Sequence, residues 1–355
     1  MMGICSECGA SEYFATEHQW LNNGDIVIKT SPENRLIFIE SGNIDPLING
    51  MEQIIGVPLE KLVMATFRKS VRTYLENLLP DNVHEMVRTG QIDPKALDDV
   101  LGDVGRVTGV GNYQFVDMRN EGDKDDFFTV SISEPYSVPM CAASHAGAIE
   151  AIFGYDHEVT YSWLGPDFYS MTAIPAEHPE ELEARMPLDR YEHREGDIEL
   201  ERCETCGGPK GLSEYQWFID RGVILNKTSK HRMELLGPNE LTPVFKELEE
   251  ELGDTVPQVI VESQRRFTKT GFYSPDEVKN EEEFRNRLAL KGLGNLRSLK
   301  MSKQGLSMRL DNATMHLLIV GIMQGIFDMA FDVDSTADWE YSDEGNLEIE
   351  VKPKT

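Results

Sequence analysis

Two five-residue stretches constrain this chain more than anything else in it: CSECG at 5–9 and CETCG at 203–207, which hold four of the five cysteines. A CxxCG turn points two thiolates at one ion, and its glycine leaves backbone amides free to approach the sulfurs. Each turn supplies half of a tetrahedral four-thiolate shell. A fold that completes the shell must bring residues almost two hundred positions apart face to face.

The turns are not the only repeated text. Setting Cys5 on Cys203 also sets Cys8 on Cys206, Gly9 on Gly207 and KTS at 29–31 on KTS at 227–229. One residue of slippage aligns HQW (18–20) with YQW (215–217), Gly56 with Gly253, and the segment around Arg68 with that around Arg265. After an insertion in the first copy, GVGN (109–112) meets GLGN (292–295) and HAGAIEA (145–151) meets IVGIMQG (319–325). Matches in constant order with gaps in polar stretches indicate a tandem duplication. Residues 1–178 form the first copy and 203–355 the second. Between them, 179–202 form an acidic linker too poor in apolar anchors for a core of its own, with a turn of helix expected at Pro179–Arg185.

Each copy reads as a hairpin after the knuckle, a further strand, helices beginning near Pro46 and Leu59 or Pro243 and Pro257, and a third helix into the GxGN element. A strand, a helix rich in small residues and a closing strand follow. Hairpins with non-crossover helices give an α+β fold: two copies of a mainly antiparallel sheet packed against helices, arranged as a pseudo-twofold intramolecular dimer. GVGN and GLGN follow a helix and precede a strand, so they read as helix C-caps rather than phosphate cradles.

With 62 acidic against 34 basic side chains and a net charge of -28, the chain lacks the basic face that nucleic acid requires. The clusters Arg68, Lys69, Arg72 and Arg265, Arg266, Lys269 fall at helical spacing and read as solvated faces. The longest apolar run, Leu317–Phe331, contains Gln324 and Asp328 and is too short for a membrane span. The first residues show no basic-then-apolar leader, so a cytoplasmic protein is expected, in a compartment where paired thiols hold metal rather than form disulfides.

The metal ligands are therefore Cys5, Cys8, Cys203 and Cys206, around one shared structural zinc; an iron–sulfur cluster would use the same thiolates. Cys141 stands alone as a small buried hydrophobe. In the small-residue helices, Gly147 with Ala151 and Gly321 with Gly325 fall on one face, suited to tight core packing or to a ligand pocket wall. His145, Glu150 and Gln324 sit in or beside these apolar stretches and need hydrogen-bond partners there. His18, His145 and His316 are the histidines a haem reading would use, and no nucleophile elbow, Walker loop or carboxylate pair stands out.

The segments VSISEPYSVPMCAASHAGAIEAIFGYDHEVTYSW (130–163) and SMRLDNATMHLLIVGIMQGIFDMAFDVDSTADWEY (307–341) resemble the 4-vinyl reductase, or hydrocarbon-binding, domain family, which is related to transport-particle (TRAPP) subunits and haem nitric-oxide sensor domains. The resemblance implies an antiparallel sheet backed by helices, around an internal apolar cavity for a small hydrophobic molecule, often within a dimer. Many members carry zinc-binding cysteines on the closing strand. Here that strand has none, which moves the expected metal site to the N-terminal knuckles. The resulting expectation is a metal-stapled tandem domain binding a hydrophobic small molecule or cofactor, as a carrier, accessory or sensor protein acting through a protein partner. An enzyme of the reductase or tetrapyrrole/haem-dependent kind, and a structural scaffold subunit, are the competing readings.

Overall fold

The structure is a computed structural model describing residues 3–177 and 191–354. The helical turn expected at Pro179–Arg185 lies outside the described residues.

Behind the first knuckle, α1 (Glu12–Glu17) leads into β1 (His18–Trp20), β2 (Ile26–Ile28) and β3 (Ser31–Glu40). The second knuckle leads likewise into β8 (Tyr215–Phe218), β9 (Val223–Asn226) and β10 (Arg232–Leu236). These six strands form one antiparallel sheet in the order β1-β2-β3-β10-β9-β8. It closes across β3 and β10, where Phe38 faces Leu235. Those two residues are 197 positions apart, the offset that relates the two halves of the sequence, so at the centre of the sheet a residue of one half pairs with its equivalent in the other. This is the isologous contact that a twofold requires.

Each half then builds helices and a second sheet. In the first, α2 (Ile44–Ile55), α3 (Glu60–Glu76), α4 (Val83–Arg88) and α5 (Pro94–Thr108) precede β4 (Asn112–Arg119) and β5 (Phe127–Ser133). Then come α6 (Val138–Phe153), β6 (His157–Gly165) and β7 (Phe168–Pro175), with sheet order β4-β5-β7-β6. In the second, α7 (Pro238–Leu252), α8 (Val256–Phe267) and α9 (Glu281–Leu290) precede β11 (Asn295–Ser302) and β12 (Gly305–Asp311). The half ends with α10 (His316–Phe331), β13 (Ser335–Tyr341) and β14 (Leu347–Pro353), in the order β11-β12-β14-β13. The α+β class with antiparallel sheets against helices holds as expected. Strands β4, β7 and β11 are additional: the single closing strand expected after the small-residue helix of the first half is the β6–β7 hairpin.

The halves interleave. Trp20 Nε1 donates to the Leu290 carbonyl at 2.9 Å, and Trp217 Nε1 to that of Val107 at 3.2 Å, so each hairpin covers the end of a helix in the other half. Arg35 Nη2 donates to the Gly292 carbonyl and Arg232 Nη2 to that of Gly109. Both glycines follow a helix in the left-handed conformation, with φ of +74° and +93°, which favours glycine. A Cβ on Gly109 would also stand 2.3 Å from the Met233 carbonyl, and one on Gly292 2.5 Å from that of Leu36. The GxGN elements are thus turns that let one half's helix end lie against the other half's central strand.

The basic clusters match the solvated faces expected only in part: Arg266 and Lys269 are exposed, but one arginine of each cluster is not. Arg68 and Arg265 are buried, Arg68 paired with Glu150 of α6 and Arg265 with Asp328 of α10 at 2.5 Å. Helical spacing alone does not separate a charged surface from an arginine reaching across a helix contact to a buried acid. The small residues of α6 and α10 make those contacts close. A Cβ on Gly147 would meet the Arg68 carbonyl at 2.4 Å, and one on Gly321 the Val261 carbonyl at 2.6 Å.

The end of the linker runs as a strap over both halves. His193 hydrogen-bonds Asp25 at 2.6 Å, Ile198 N donates to the Asn22 carbonyl at 2.7 Å, and Asp197 accepts from Arg285, Asn295 and Arg297.

Candidate functional site

The two knuckles meet on one face of the central sheet, over a cluster that includes Phe14, Trp20, Phe38, Tyr215 and Trp217. Each turn is closed the same way: Cys5 N donates to the Ala10 carbonyl and Gly9 N to that of Cys5, while Cys203 N donates to Gly208 and Gly207 N to Cys203. Gly9 and Gly207 hold φ of +75° and +74°, which the tightness of the turn requires. Glu7 of one turn accepts from Thr205 N and Oγ1 of the other.

The sulfurs of Cys5 and Cys203 lie 3.8 Å apart and those of Cys8 and Cys206 3.6 Å apart, with all four within 4.8 Å of one another. A tetrahedral ion with bonds of about 2.3 Å to sulfur sets its ligands about 3.8 Å apart, so the separations fit one ion. They far exceed the roughly 2.05 Å of a disulfide, and all five cysteines are free. The backbone N–H of Cys8 draws the Cys5 thiol down to about 7, whereas burial pushes Cys8 up to about 12. Four thiols this close, with three of them buried, could hold a metal ion. Cys141 is separate from them, fully buried in α6, and pushed up to about 12 by burial.

On the helical side of the sheet lies a cavity of about 450 Å³. Helices α3, α5 and α6 of the first half wall it, with Tyr74 and Leu75, Gly102 and Gly105, and Ser144, His145 and Ala148 facing in. Its remaining wall comes from Tyr13 and His18 near the first knuckle and, across the interleaved interface, from Leu235, Leu236 and Glu240 of the second half. Leu78, 40% exposed, marks a point where it reaches the surface.

Polar groups punctuate this wall. His18 donates Nδ1–H to the Phe14 carbonyl and His145 Nε2–H to that of Phe128, and burial lowers both, His145 to about 4. Tyr113 donates its hydroxyl to the Cys141 carbonyl. Burial pushes the Asp98 and Glu240 carboxyls up to about 7 each. Next to Leu235 in β10, Glu234 is fully buried with neither carboxylate oxygen hydrogen-bonded, and burial raises it well above the usual carboxylate range.

The sequence-derived pocket residues fall in different places. His145 lines the cavity, while Gly147 sits two positions further along the helix, against α3. Ala151 is fully buried, its carbonyl accepting from His84 Nε2. Gly321 and Gly325 lie against α8, and Gln324 donates to the Ser335 carbonyl, all in the second half and away from this cavity. His316 stacks on Tyr341 at 4.0 Å, also in the second half. The cavity-forming small residues Gly102, Gly105, Ser144 and Ala148 were not singled out from sequence. A comparison of the two halves could have found three of them, because Leu288, Leu318 and Ile322 occupy the aligned places of Gly105, Ser144 and Ala148.

No family model matches the chain, and no curated protein does. Among solved structures it overlays on an H-NOX domain (Cs) carrying the unnatural amino acid 4-cyano-L-phenylalanine, at 18% identity over 36% of this chain and 78% of that one, TM-score 0.27. It overlays on the phenol-responsive sensory domain of the transcription activator PoxR with phenol at 14% identity, over 45% and 85%, TM-score 0.32. A mutant T. tengcongensis H-NOX gives 18% identity over 34% and 75%, TM-score 0.25. Overlaps this shallow define neither a fold family nor a ligand for this chain. No helix among the described residues is long and apolar enough to cross a membrane.

Proposed function

We propose that this chain is a tandem duplication of a 4-vinyl-reductase-like domain, stapled by one structural zinc, that binds a small hydrophobic molecule in its first half and serves as a carrier, accessory or sensor protein. The copies are 1–178 and 203–355, joined by the linker 179–202. They are copies of sequence rather than separate packing units, because Leu235, Leu236 and Glu240 of the second close the cavity of the first. The observation that carries the reading is that cavity: its 450 Å³ lies within the roughly 300–1,000 Å³ usual for small-molecule sites.

The halves have divided the work. At the places aligned with Gly105, Ser144 and Ala148, the second half carries Leu288 and Leu318, both in its buried core, and Ile322 packed against it. Substituting three small residues by large aliphatic ones fills the corresponding space. One half keeps room for a guest, while the other supplies two thiolates, a hairpin and part of the wall. The zinc would hold the two knuckles together and contribute to folding outright.

Solvent extraction of the purified chain with mass spectrometry of the extract, alongside calorimetric titration with naphthalenemethanol, tests the guest. One bound molecule per chain supports it. An empty extract together with no heat of binding would sink it.

A further inference from the structure

We infer that the guest of this cavity is a lipophilic amine, an apolar body bearing a protonated nitrogen that Asp98 or Glu240 receives; this rests on the small-molecule reading of the cavity and narrows it. The ionisable wall is one-sided. Glu17, Asp98 and Glu240 line the cavity, and no lysine or arginine does so among the described residues. Asp98 is 8% exposed and makes no hydrogen bond or close ion pair within the described residues; Lys95, one turn away on α5 and bonded to Asp99, acts on it only at a distance, so a buried acid faces this space with no donor on it. Such a group is costly unless something supplies a donor.

The neutral groups point the same way. His18 and His145 spend their ring N–H on the carbonyls of Phe14 and Phe128, leaving the other nitrogen of each as an acceptor. Tyr113 spends its hydroxyl proton on Cys141, leaving oxygen lone pairs. One Glu240 oxygen accepts from Gly237 N at 2.6 Å, which leaves the second to receive a guest. Tyr13 and Tyr74 add aromatic rings to the lining, which attract a cation over their faces. A wall of acceptors and carboxylates repels an acid and gives a neutral alcohol one hydrogen bond, whereas an ammonium offers three donors and the opposite charge. A dianionic tetrapyrrole would find no cation on this wall to meet its carboxylates.

The test titrates the full, zinc-loaded chain at pH 8 with naphthylmethylamine, naphthalenemethanol and naphthoate, which share one apolar body. The amine should bind at least about tenfold more tightly than naphthoate, with the alcohol between them. In Asp98→Asn with Glu240→Gln, the amine's advantage over the alcohol should fall to within about twofold, chiefly through weaker amine binding. Asp98→Asn alone guards against misfolding, because its carboxylate holds nothing else in place, and it should lose part of the advantage. Naphthoate binding as tightly as the amine, or an advantage untouched in both variants, would overturn the inference while leaving the cavity a binding site. If none of the three probes binds, the small-molecule reading itself falls, and the inference with it.

Discussion

Replacing Ala148 by isoleucine, the residue at the aligned place in the second half, should make the protein more stable and less able to bind. Ala148 lines the cavity on α6 and is partly accessible through it. The substitution adds three carbons, worth about 0.8 kcal/mol each when removed from water, or roughly 2.4 kcal/mol if fully covered. Fixing the longer side chain costs about 0.5–1 kcal/mol, and a β-branched residue in a helix costs up to about 0.7. The net gain is about 1 kcal/mol, raising the thermal midpoint by a degree or two up to a few degrees in a chain of this size. A thermal melt followed by circular dichroism reads the first effect, and titration with naphthalenemethanol reads the second. Stability should rise as binding falls at least about tenfold, since the added atoms occupy the guest's space. A midpoint lowered by several degrees with binding intact would refute the reasoning, because it would mean that Ala148 faces packed protein rather than open volume.

Other outcomes follow from the interleaving and the strap. Gly109→Ala should cost well over the 1–2 kcal/mol of a left-handed alanine, because its Cβ would meet the Met233 carbonyl at 2.3 Å; Gly56→Ala, at φ +84° with nothing within 4 Å, should cost only about that amount. Equal losses in denaturant unfolding would remove the close crossing of the halves. His193 is raised above its ordinary value by its hydrogen bond to Asp25, so its contribution is full below the unfolded value of about 6.5 and lost as pH rises through the folded one. The stability difference between the wild type and His193→Ala should therefore be larger at pH 6 than at pH 9, and a difference that grows with pH would contradict the strap contact. Arg68→Met leaves Glu150 buried without its main partner and should cost about 3–5 kcal/mol; a loss under 1 kcal/mol by urea titration would show that Glu150 is solvated.

What the sequence made legible was local. The hairpins at 18–28 and 215–226 were announced by Asn and Gly between apolar alternations, and Gly56 and Gly109 by helical periodicity that stops at a glycine. The knuckles carried their chemistry in their spacing. Contacts between distant segments were harder to see. Arg68 and Arg265 sit at positions that periodicity assigns to water, and only the acids of α6 and α10, more than sixty residues away, draw them inside. Gly147 and His145 are two residues apart on one helix, yet one faces α3 and the other the cavity, a distinction that depends on how the helix is rolled in the finished fold. Nor does composition reveal that β10 of one half closes the cavity of the other. That follows from the pairing of β3 with β10, which no short-range signal encodes.

The central claim is that two turns from opposite halves grip a single ion. Native mass spectrometry of the intact chain, with and without prior alkylation of accessible thiols, tests it directly. The account predicts one zinc per chain, four cysteines protected from alkylation while the zinc is bound, and the same four modified once a chelator removes it. Two zinc ions per chain, or four thiols that alkylate freely with the metal still bound, would contradict it.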